Sequence, residues 1–265
     1  MSDVPPAILR LARQATRVTV LTGAGMSQES GVPTFRDAHT GLWARFDPLE
    51  LATPQAWARD RDLVWAWYLH RVRAVRAAQP NAGHLAIADW SRRPGVSMQL
   101  VTQNVDDLHE RAGSTVLAHL HGSLVALRCD TCGRAYPGSS IAIPVEIPQR
   151  LAPPPCPTAS APAVAAEGTS GCPGHVRPGV VWFDEPLPTG LFDAAVDAVR
   201  SADLALVVGT SGVVYPAAML PDLAETAGVP VVEINSAVTG LNPRGRHSWR
   251  STAAVALPAL LAALD

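Results

Sequence analysis

T-G-A-G-M-S-Q-E-S-G-V-P-T-F-R-D, residues 22–37, is the stretch on which the reading of this 265-residue chain turns. It follows R-V-T-V-L at residues 17–21, whose β-branched side chains suit a buried parallel strand. Glycines let backbone N–H groups come close to a phosphate, so strand and turn together read as a nucleotide-binding element. A hydride-transferring Rossmann protein would carry G-x-G-x-x-G there, whereas this chain has Gly23, Ala24, Gly25, Met26, Ser27 and Gln28, without the third glycine. That departure argues against a dehydrogenase. The continuation through Gly31, Pro33, Thr34, Phe35, Arg36 and Asp37 mixes stiff, aromatic and charged residues, and predicts a loop that closes over the ligand.

The theme recurs downstream. S-M-Q-L-V-T at residues 97–102 predicts a second strand, with Q-N-V-D-D-L-H-E-R-A-G at its carboxyl end. Ligands of open α/β sheets bind at such ends, which places Gln103, Asn104 and Asp106 to meet whatever residues 23–25 hold. Asn104 and Asp106 also suit the cap of a following helix, and the two readings are compatible. D-L-A-L-V-V-G at 203–209 reads as another buried strand, running into Thr210 and Ser211, and V-P-V-V-E-I-N ends on Asn235. Helical patterns cover residues 7–15 and 81–90 and the terminal L-P-A-L-L-A-A-L. The expected fold class is therefore α/β, a doubly wound, mostly parallel Rossmann-like sheet. Its residues are 1–37, 81–125 and 176–265, interrupted by a small helical insert at 38–80 and a zinc-binding module at 126–175.

The helical insert is rich in tryptophan, with Trp43, Trp57, Trp65 and Trp67. Tyr68 and Arg71 are three apart and share a helix face, where a phenol beside a guanidinium could read a carboxylate. Taken alone, the pair favours the plainer reading, with Arg71, Arg73 and Arg76 as a solvated face and Tyr68 in the core. T-V-L-A-H-L predicts a short strand leading to His121, Gly122 and Ser123. His119 and His121 are two apart, so strand spacing cannot choose between them as a catalytic base, although position at the strand end favours His121.

Cys129-x2-Cys132 is half of a structural zinc site, and Cys156 and Cys172 complete a tetrahedral set across a Pro- and Ala-rich excursion. His175 is a stand-in ligand should Cys156 fail to reach. From Arg177 the main sheet is expected to resume with R-P-G-V-V-W-F-D-E, where Val181, Trp182 and Phe183 could pair with a substrate backbone.

Composition narrows the class. With 48% hydrophobic residues and a net charge of −2, the chain can bury a large core and shows no basic excess for nucleic acid as its main partner. All 21 basic residues are arginine, so an enzyme acting on lysine side chains could not be its own side-chain substrate. The amino-terminal M-S-D-V-P-P-A-I-L-R-L-A-R carries an early acid and arginines within its apolar stripe, unlike a signal peptide. Nothing approaches the roughly 18 consecutive apolar residues of a membrane span. A cytoplasmic protein with no membrane partner is expected, and in that compartment four cysteines point to metal rather than disulfides.

Seven pieces, in this order, resemble the sirtuins, the NAD-dependent protein lysine deacylases: G-A-G-M-S-Q-E-S-G-V-P-T-F-R, Q-N-V-D-D-L-H, H-G-S, C-D-T-C, R-P-G-V-V-W-F, G-T-S and A-L-P-A-L. The resemblance spans nearly the whole chain. It implies that Gly23, Ala24, Gly25, Ser27, Phe35 and Arg36 line an NAD site, with Gln103, Asn104 and Asp106 at its ribose and nicotinamide end. Gly209, Thr210, Ser211, Asn235 and Ala253 would meet the adenosine half, and His121 would be the general base. NAD would be the co-substrate, one structural zinc would sit on the four cysteines, and acylated-lysine proteins would be the partners of a monomeric enzyme. Tyr-x-x-Arg resembles the signature of members preferring malonyl-, succinyl- or glutaryl-lysine, and Tyr68 and Arg71 fit it. Leu51-Ala52-Thr53-Pro54 also resembles those members, Ala52 leaving room for a longer acyl chain.

Three departures stand out. Asp184 replaces the usual glycine of F-G-E, the spacing from Cys156 to Cys172 is long, and Ser251-Thr252-Ala253 replaces a glycine-led turn near the adenine. The rival readings are a plain deacetylase, a mono-ADP-ribosyltransferase and a non-catalytic NAD or ADP-ribose sensor.

Overall fold

The computed structural model describes residues 4–32, 47–137, 141–156, 171–241 and 247–265. The expected closing loop at 33–37, with Phe35 and Arg36, lies outside the described residues, as do Trp43 and nearly all of the excursion after Cys156. In chain order the elements begin with α1 (Pro6–Gln14), β1 (Arg17–Thr22), α2 (Pro48–Leu51), α3 (Pro54–Ala77) and α4 (Ala82–Ser91). There follow β2 (Ser97–Thr102), α5 (Leu108–Arg111), β3 (Val116–His119), β4 (Gly122–Cys129), β5 (Ala135–Pro137) and β6 (Val176–Val180). The chain ends with α6 (Thr189–Ser201), β7 (Leu204–Val208), α7 (Leu220–Thr226), β8 (Val231–Asn235), β9 (His247–Arg250) and α8 (Ala253–Ala263). Two compact units result, one of Met1–Phe35, Ala78–His121 and Pro186–Asp265, the other of Arg36–Ala77 and Gly122–Glu185.

The first unit carries a six-stranded sheet in the order β3-β2-β1-β7-β8-β9, parallel throughout. The chain steps outward from β1 through β2 to β3, then returns on the other side of β1 through β7 and β8. The order reverses between β1 and β7, and at such a switch point the loops part to leave a crevice. Register fixes what meets there: Thr22 lies opposite Thr102 on one side and Val208 on the other, so Gly23, Gln103 and Gly209 leave the sheet level with one another.

Both faces of this sheet are covered, which is why its strands read as continuous apolar runs. Val18, Val20, Leu204, Leu206 and Val232 pack with Ile8, Ile87 and Leu257 from α1, α4 and α8. Leu21, Val101 and Val207 pack with Ala195, Val199 and Leu220 from α6 and α7. Burying each such valine or leucine fully contributes about 1.5–3 kcal/mol, so the central strands anchor the crevice. Edge strand β9 reads H-S-W-R and has no apolar alternation to betray it; only Trp249 is buried in it.

In the second unit, α3 contains a break at Asp60, whose φ of −155° and ψ of 74° are not helical. The helical insert is therefore built of two helical segments that meet at this break. Strands β5, β4 and β6 form a small antiparallel sheet in that order. This corrects the expectation that the main sheet resumes at Arg177, because the run from Val176 pairs with β4 and not with any strand of the six. The sequence disguised the difference, since an apolar run looks alike in either setting. Two glycines decide the pairing: a Cβ on Gly179 would lie 1.9 Å from the Ala126 carbonyl oxygen, and one on Gly122 would lie 2.1 Å from that of Gly179. Among the described residues no helix is long and apolar enough to cross a membrane.

Candidate active site and metal centre

The crevice of the first unit is closed at its base by backbone contacts. Gly23 donates its N–H to Val208 O at 3.0 Å, Gly25 to Gly209 O at 2.8 Å, and Gly209 to Ile234 O at 3.0 Å. A Cβ on Gly25 would fall 2.8 Å from the Gly209 Cα, and one on Gly23 would fall 2.8 Å from that of Thr210. Ala24 begins a single 3-10 turn ending at Met26. Thr210 collects two neighbours, accepting from Gln103 Nε2 on its hydroxyl at 3.1 Å and from Asn235 Nδ2 on its carbonyl at 2.9 Å. Ser211 follows it and accepts the Gly240 N–H at 3.1 Å. Ala253 is the first residue of α8, where the next N–H, that of Ala254, donates to Glu29 Oε2 at 3.1 Å.

A second group gathers at the end of β2. Asn104 Nδ2 donates to the Ser27 hydroxyl at 3.1 Å, and its own N–H donates to Thr102 Oγ1 at 3.0 Å. Its side chain is therefore no helix cap. Asp106 accepts the Leu108 N–H at 3.1 Å from one residue before the N-cap, which is Asp107 and makes no side-chain cap bond, so the cap reading fails for both residues. Burial raises the Asp106 pKa, with the bonds from Leu108 and the Ser27 hydroxyl acting the other way.

The structure separates the two histidines. His119 ends β3 with both ring nitrogens occupied, Nδ1 by the Asn104 carbonyl at 3.1 Å and Nε2 by Glu110 Oε1 at 2.6 Å. Burial opposes its charged form, but Glu110 and the Asn104 carbonyl outweigh it and raise the pKa. His121 lies in the turn after β3, with Nδ1 3.0 Å from the Gln103 carbonyl oxygen. Only an N–H can meet a carbonyl, so the proton sits on Nδ1 and Nε2 presents a lone pair. Burial lowers the His121 pKa and keeps the ring neutral. It has the form of a base, and His119 does not.

Beneath these loops lies a polar network that sequence reasoning missed. The hydroxyls of Thr22 and Thr102 are 2.8 Å apart, and His109 Nε2 is 3.0 Å from Thr22 Oγ1. The His109 ring stands 4.8 Å from that of His84, which is fully buried. His84 Nδ1 accepts the Asn81 N–H at 3.3 Å in a capping box, and Asn81 Nδ2 donates to Met26 O at 2.9 Å. The spacing N-x-x-H was a legible cap signal. The threonine and histidine contacts depend on strand order and were not legible.

In the second unit, buried Tyr68 accepts a hydrogen bond from Trp182 Nε1 at 2.9 Å. Burial raises the Tyr68 pKa, with Arg71 acting in the opposite sense. Arg71 Cζ stands 5.2 Å from the Trp67 ring centroid; burial lowers its pKa and Tyr68 acts the other way. The solvated-face reading fails for this arginine. Ala52 is buried, and its carbonyl accepts the Phe183 N–H at 3.0 Å. Trp182 is held beneath Arg177, whose Cζ is 3.3 Å from the ring centroid, while Val181 leads into it from β6. Arg177 in turn binds Glu185 through both nitrogens, at 2.6 and 3.0 Å, a carboxylate role the sequence did not suggest. Glu185 N–H closes the turn onto Trp182 O at 3.1 Å. Asp184 sits at the tip of that turn with φ of 67°, the one non-glycine residue with positive φ among those described.

All four cysteine sulfurs lie within 4.8 Å of one another. Cys129 and Cys172 are 3.7 Å apart, as are Cys132 and Cys156. Thiolates about 2.3 Å from a tetrahedral zinc would stand roughly 3.8 Å apart, so the donor set fits that ion in kind and in spacing. Cys156 reaches without help. The excursion returns through a bridge between Pro155 and His175, and His175 spends Nδ1 on Arg61 at 2.7 Å.

Residues 23–216 match the family model described as Sir2 family. The chain is 49% identical over 245 residues to a Mycolicibacterium smegmatis protein named NAD-dependent protein deacylase Sir2, covering 92% of this chain and 95% of that one. It is 46% identical to a Corynebacterium glutamicum NAD-dependent protein deacylase, covering 97% and 95%. Among solved structures, a Sir2 homologue in complex with NAD superposes with a TM-score of 0.84 at 41% identity, over 100% of this chain and 96% of that one. A mutant Sir2 homologue in complex with 2′-O-acetyl-ADP-ribose gives 0.84 at 40% identity, over 98% and 96%.

Proposed function

This chain belongs to the Sir2 family and is an NAD-dependent protein deacylase, and we propose that the acyl groups it removes from lysine are acidic ones, succinyl and malonyl foremost and glutaryl among them. The observation that carries the specificity is Arg71, a half-buried guanidinium set against the Trp67 ring and beside the Tyr68 phenol. A carboxylate at the far end of an acyl chain is an anion that a guanidinium recognises through paired N–H donors, with the phenol adding one more. Ala52, small and buried, leaves length for that chain. Val181, Trp182 and Phe183 are assigned to the substrate backbone.

NAD, when bound, supplies an electrophilic ribose carbon with nicotinamide as its leaving group. The residues assigned to hold it are Gly23, Ala24, Gly25, Ser27, Phe35 and Arg36, with Gly209, Thr210, Ser211, Asn235 and Ala253 toward the adenosine. Gln103, Asn104 and Asp106 are assigned to the ribose and nicotinamide end. Their work is alignment, because an amide oxygen is a weak nucleophile and gains most from being held in line. His121 Nε2 takes the proton of a ribose hydroxyl, its ring held by the Gln103 carbonyl at 3.0 Å. With one water consumed to free the amine, the products would be nicotinamide, free lysine and 2′-O-acyl-ADP-ribose. Cys129, Cys132, Cys156 and Cys172 would hold a structural zinc, and no chemical step is assigned to them.

The test is the initial rate of nicotinamide release with matched acetyl-, malonyl-, succinyl- and glutaryl-lysine peptides, for wild type and Arg71→Met. Preference for acidic acyl groups that Arg71→Met abolishes supports the proposal. Preference for acetyl, unchanged in the variant, overturns it in favour of a plain deacetylase, the reading that the exposed Asp184 carboxylate favours.

A further inference from the structure

We propose that Trp57 is a positioning residue that ties the four-cysteine cluster to the phenol of Tyr68; the inference rests on the acyl-reading role given to Tyr68 above. The path has three links inside the second unit. Asp130 lies between the paired Cys129 and Cys132, and its Oδ1 accepts the His175 N–H and the Thr131 hydroxyl, each at 2.9 Å. Its other oxygen accepts the Trp57 indole N–H at 2.9 Å. The Trp57 ring then rests on that of Trp182, centroids 5.6 Å apart and planes tilted by 42°, and the Trp182 indole N–H donates to the Tyr68 hydroxyl at 2.9 Å.

Direction matters here. An indole nitrogen can only donate, so the Tyr68 oxygen is an acceptor toward Trp182 and its own O–H must point elsewhere, free to donate to an acyl carboxylate. All three rings are buried, so none can drift without disturbing the next. Asp130 can keep its place only while the loop between Cys129 and Cys132 keeps its shape. Holding the four sulfurs together therefore also holds the Tyr68 hydroxyl in its orientation, through Trp57.

Trp57→Phe retains a ring and removes the N–H. Loss of one buried hydrogen bond is expected to raise KM for succinyl-lysine peptide about fivefold, with kcat and the KM values for acetyl-lysine peptide and NAD changed less than about twofold. A readout independent of turnover is the rate at which zinc is released to a colorimetric chelator. Release should accelerate in Trp57→Phe and in Tyr68→Phe, and the double variant should be no faster than either alone, because both cut one path. Additive acceleration, or release unchanged by both substitutions, overturns the proposal. A wild type without acidic-acyl preference would sink the specificity reading while leaving this zinc-release cycle to decide the link. Should Trp57→Phe fail to fold, Tyr68→Phe alone still tests it, since a remote phenol outside the path would leave zinc release unchanged.

Discussion

His121 Nδ1 faces the carbonyl oxygen of Gln103 at 3.0 Å, and this contact fixes which ring nitrogen carries the proton. His121→Ala removes the base and should lower turnover by about 10²–10⁴. Calorimetric titration with NAD should show binding close to wild type, since the His121 ring meets only the backbone carbonyl of Gln103 and leaves the Gln103 side chain in place. A variant that loses NAD binding in parallel with turnover would show His121 to be a structural prop instead.

Acid should destabilise the fold through His84. An unfolded histidine takes its proton near pH 6.5, whereas burial lowers the pKa of His84 to about 4. Between those values the unfolded chain holds more protons, so stability falls as pH drops below 6.5, with the full loss reached near 4. The loss amounts to about 3 kcal/mol. His109 is lowered well below the usual value, first by burial and then by His84, and adds to the effect. His119, raised by Glu110, works in the opposite sense. The informative quantity is therefore a difference: urea midpoints at about pH 7 and about pH 5 should separate less in His84→Gln than in wild type. Equal separations would refute the assignment.

Cysteine replacement should be felt as loss of stability before loss of chemistry. Cys156→Ser should reduce bound zinc measured by elemental analysis and lower the melting temperature, by an amount similar to chelating the wild type. Nicotinamide release with acetyl-lysine peptide should persist in the protein that remains folded, while KM for succinyl-lysine peptide rises. If Cys156→Ser retained zinc and melted normally, the cluster at 3.7 Å from Cys132 would not be the metal centre.

Asp184 holds a left-handed φ of 67° that glycine adopts without strain. Asp184→Gly relieves that strain but adds freedom to the unfolded chain, so stability should shift by less than about 1 kcal/mol. Removing the carboxylate should lower KM for succinyl-lysine peptide and leave that for acetyl-lysine peptide alone. Asp184→Asn, which also tolerates this conformation, should act likewise; if only the glycine variant responds, conformation and not charge is responsible.

Much of this was legible because burial leaves a mark on composition. The strands around β1 are covered on both faces and read as β-branched runs, and the residues at their carboxyl ends followed from that. His121 could be favoured over His119 but not separated from it, because the distinction lies in the Gln103 carbonyl and Glu110, contacts no spacing encodes. The run from Arg177 was given to the wrong sheet because apolar content does not specify a partner; the approach of Gly179 to Ala126 does. Cys156 was joined correctly to Cys172 on chemistry alone, while the bridge from Pro155 to His175 that makes the join possible was invisible. Trp57 was noted only as one tryptophan of the helical insert and Trp182 was read as pairing with a substrate backbone; their indole nitrogens gained meaning only from Asp130 and Tyr68.

The back-to-back contact of Gly25 with Gly209 bears on how such an enzyme can change. Neither position can accept even a methyl group unless the other strand end withdraws, and each withdrawal would misplace the residues beside it. These two positions therefore have almost no accessible variation. On the helix bearing Tyr68 and Arg71 the packed rings are fixed, but half-buried Arg71 can shorten or lose its charge while the backbone stays where it is. New acyl preferences should therefore arise by change at Arg71 sooner than at Gly25 or Gly209, and libraries aimed at altered selectivity belong there.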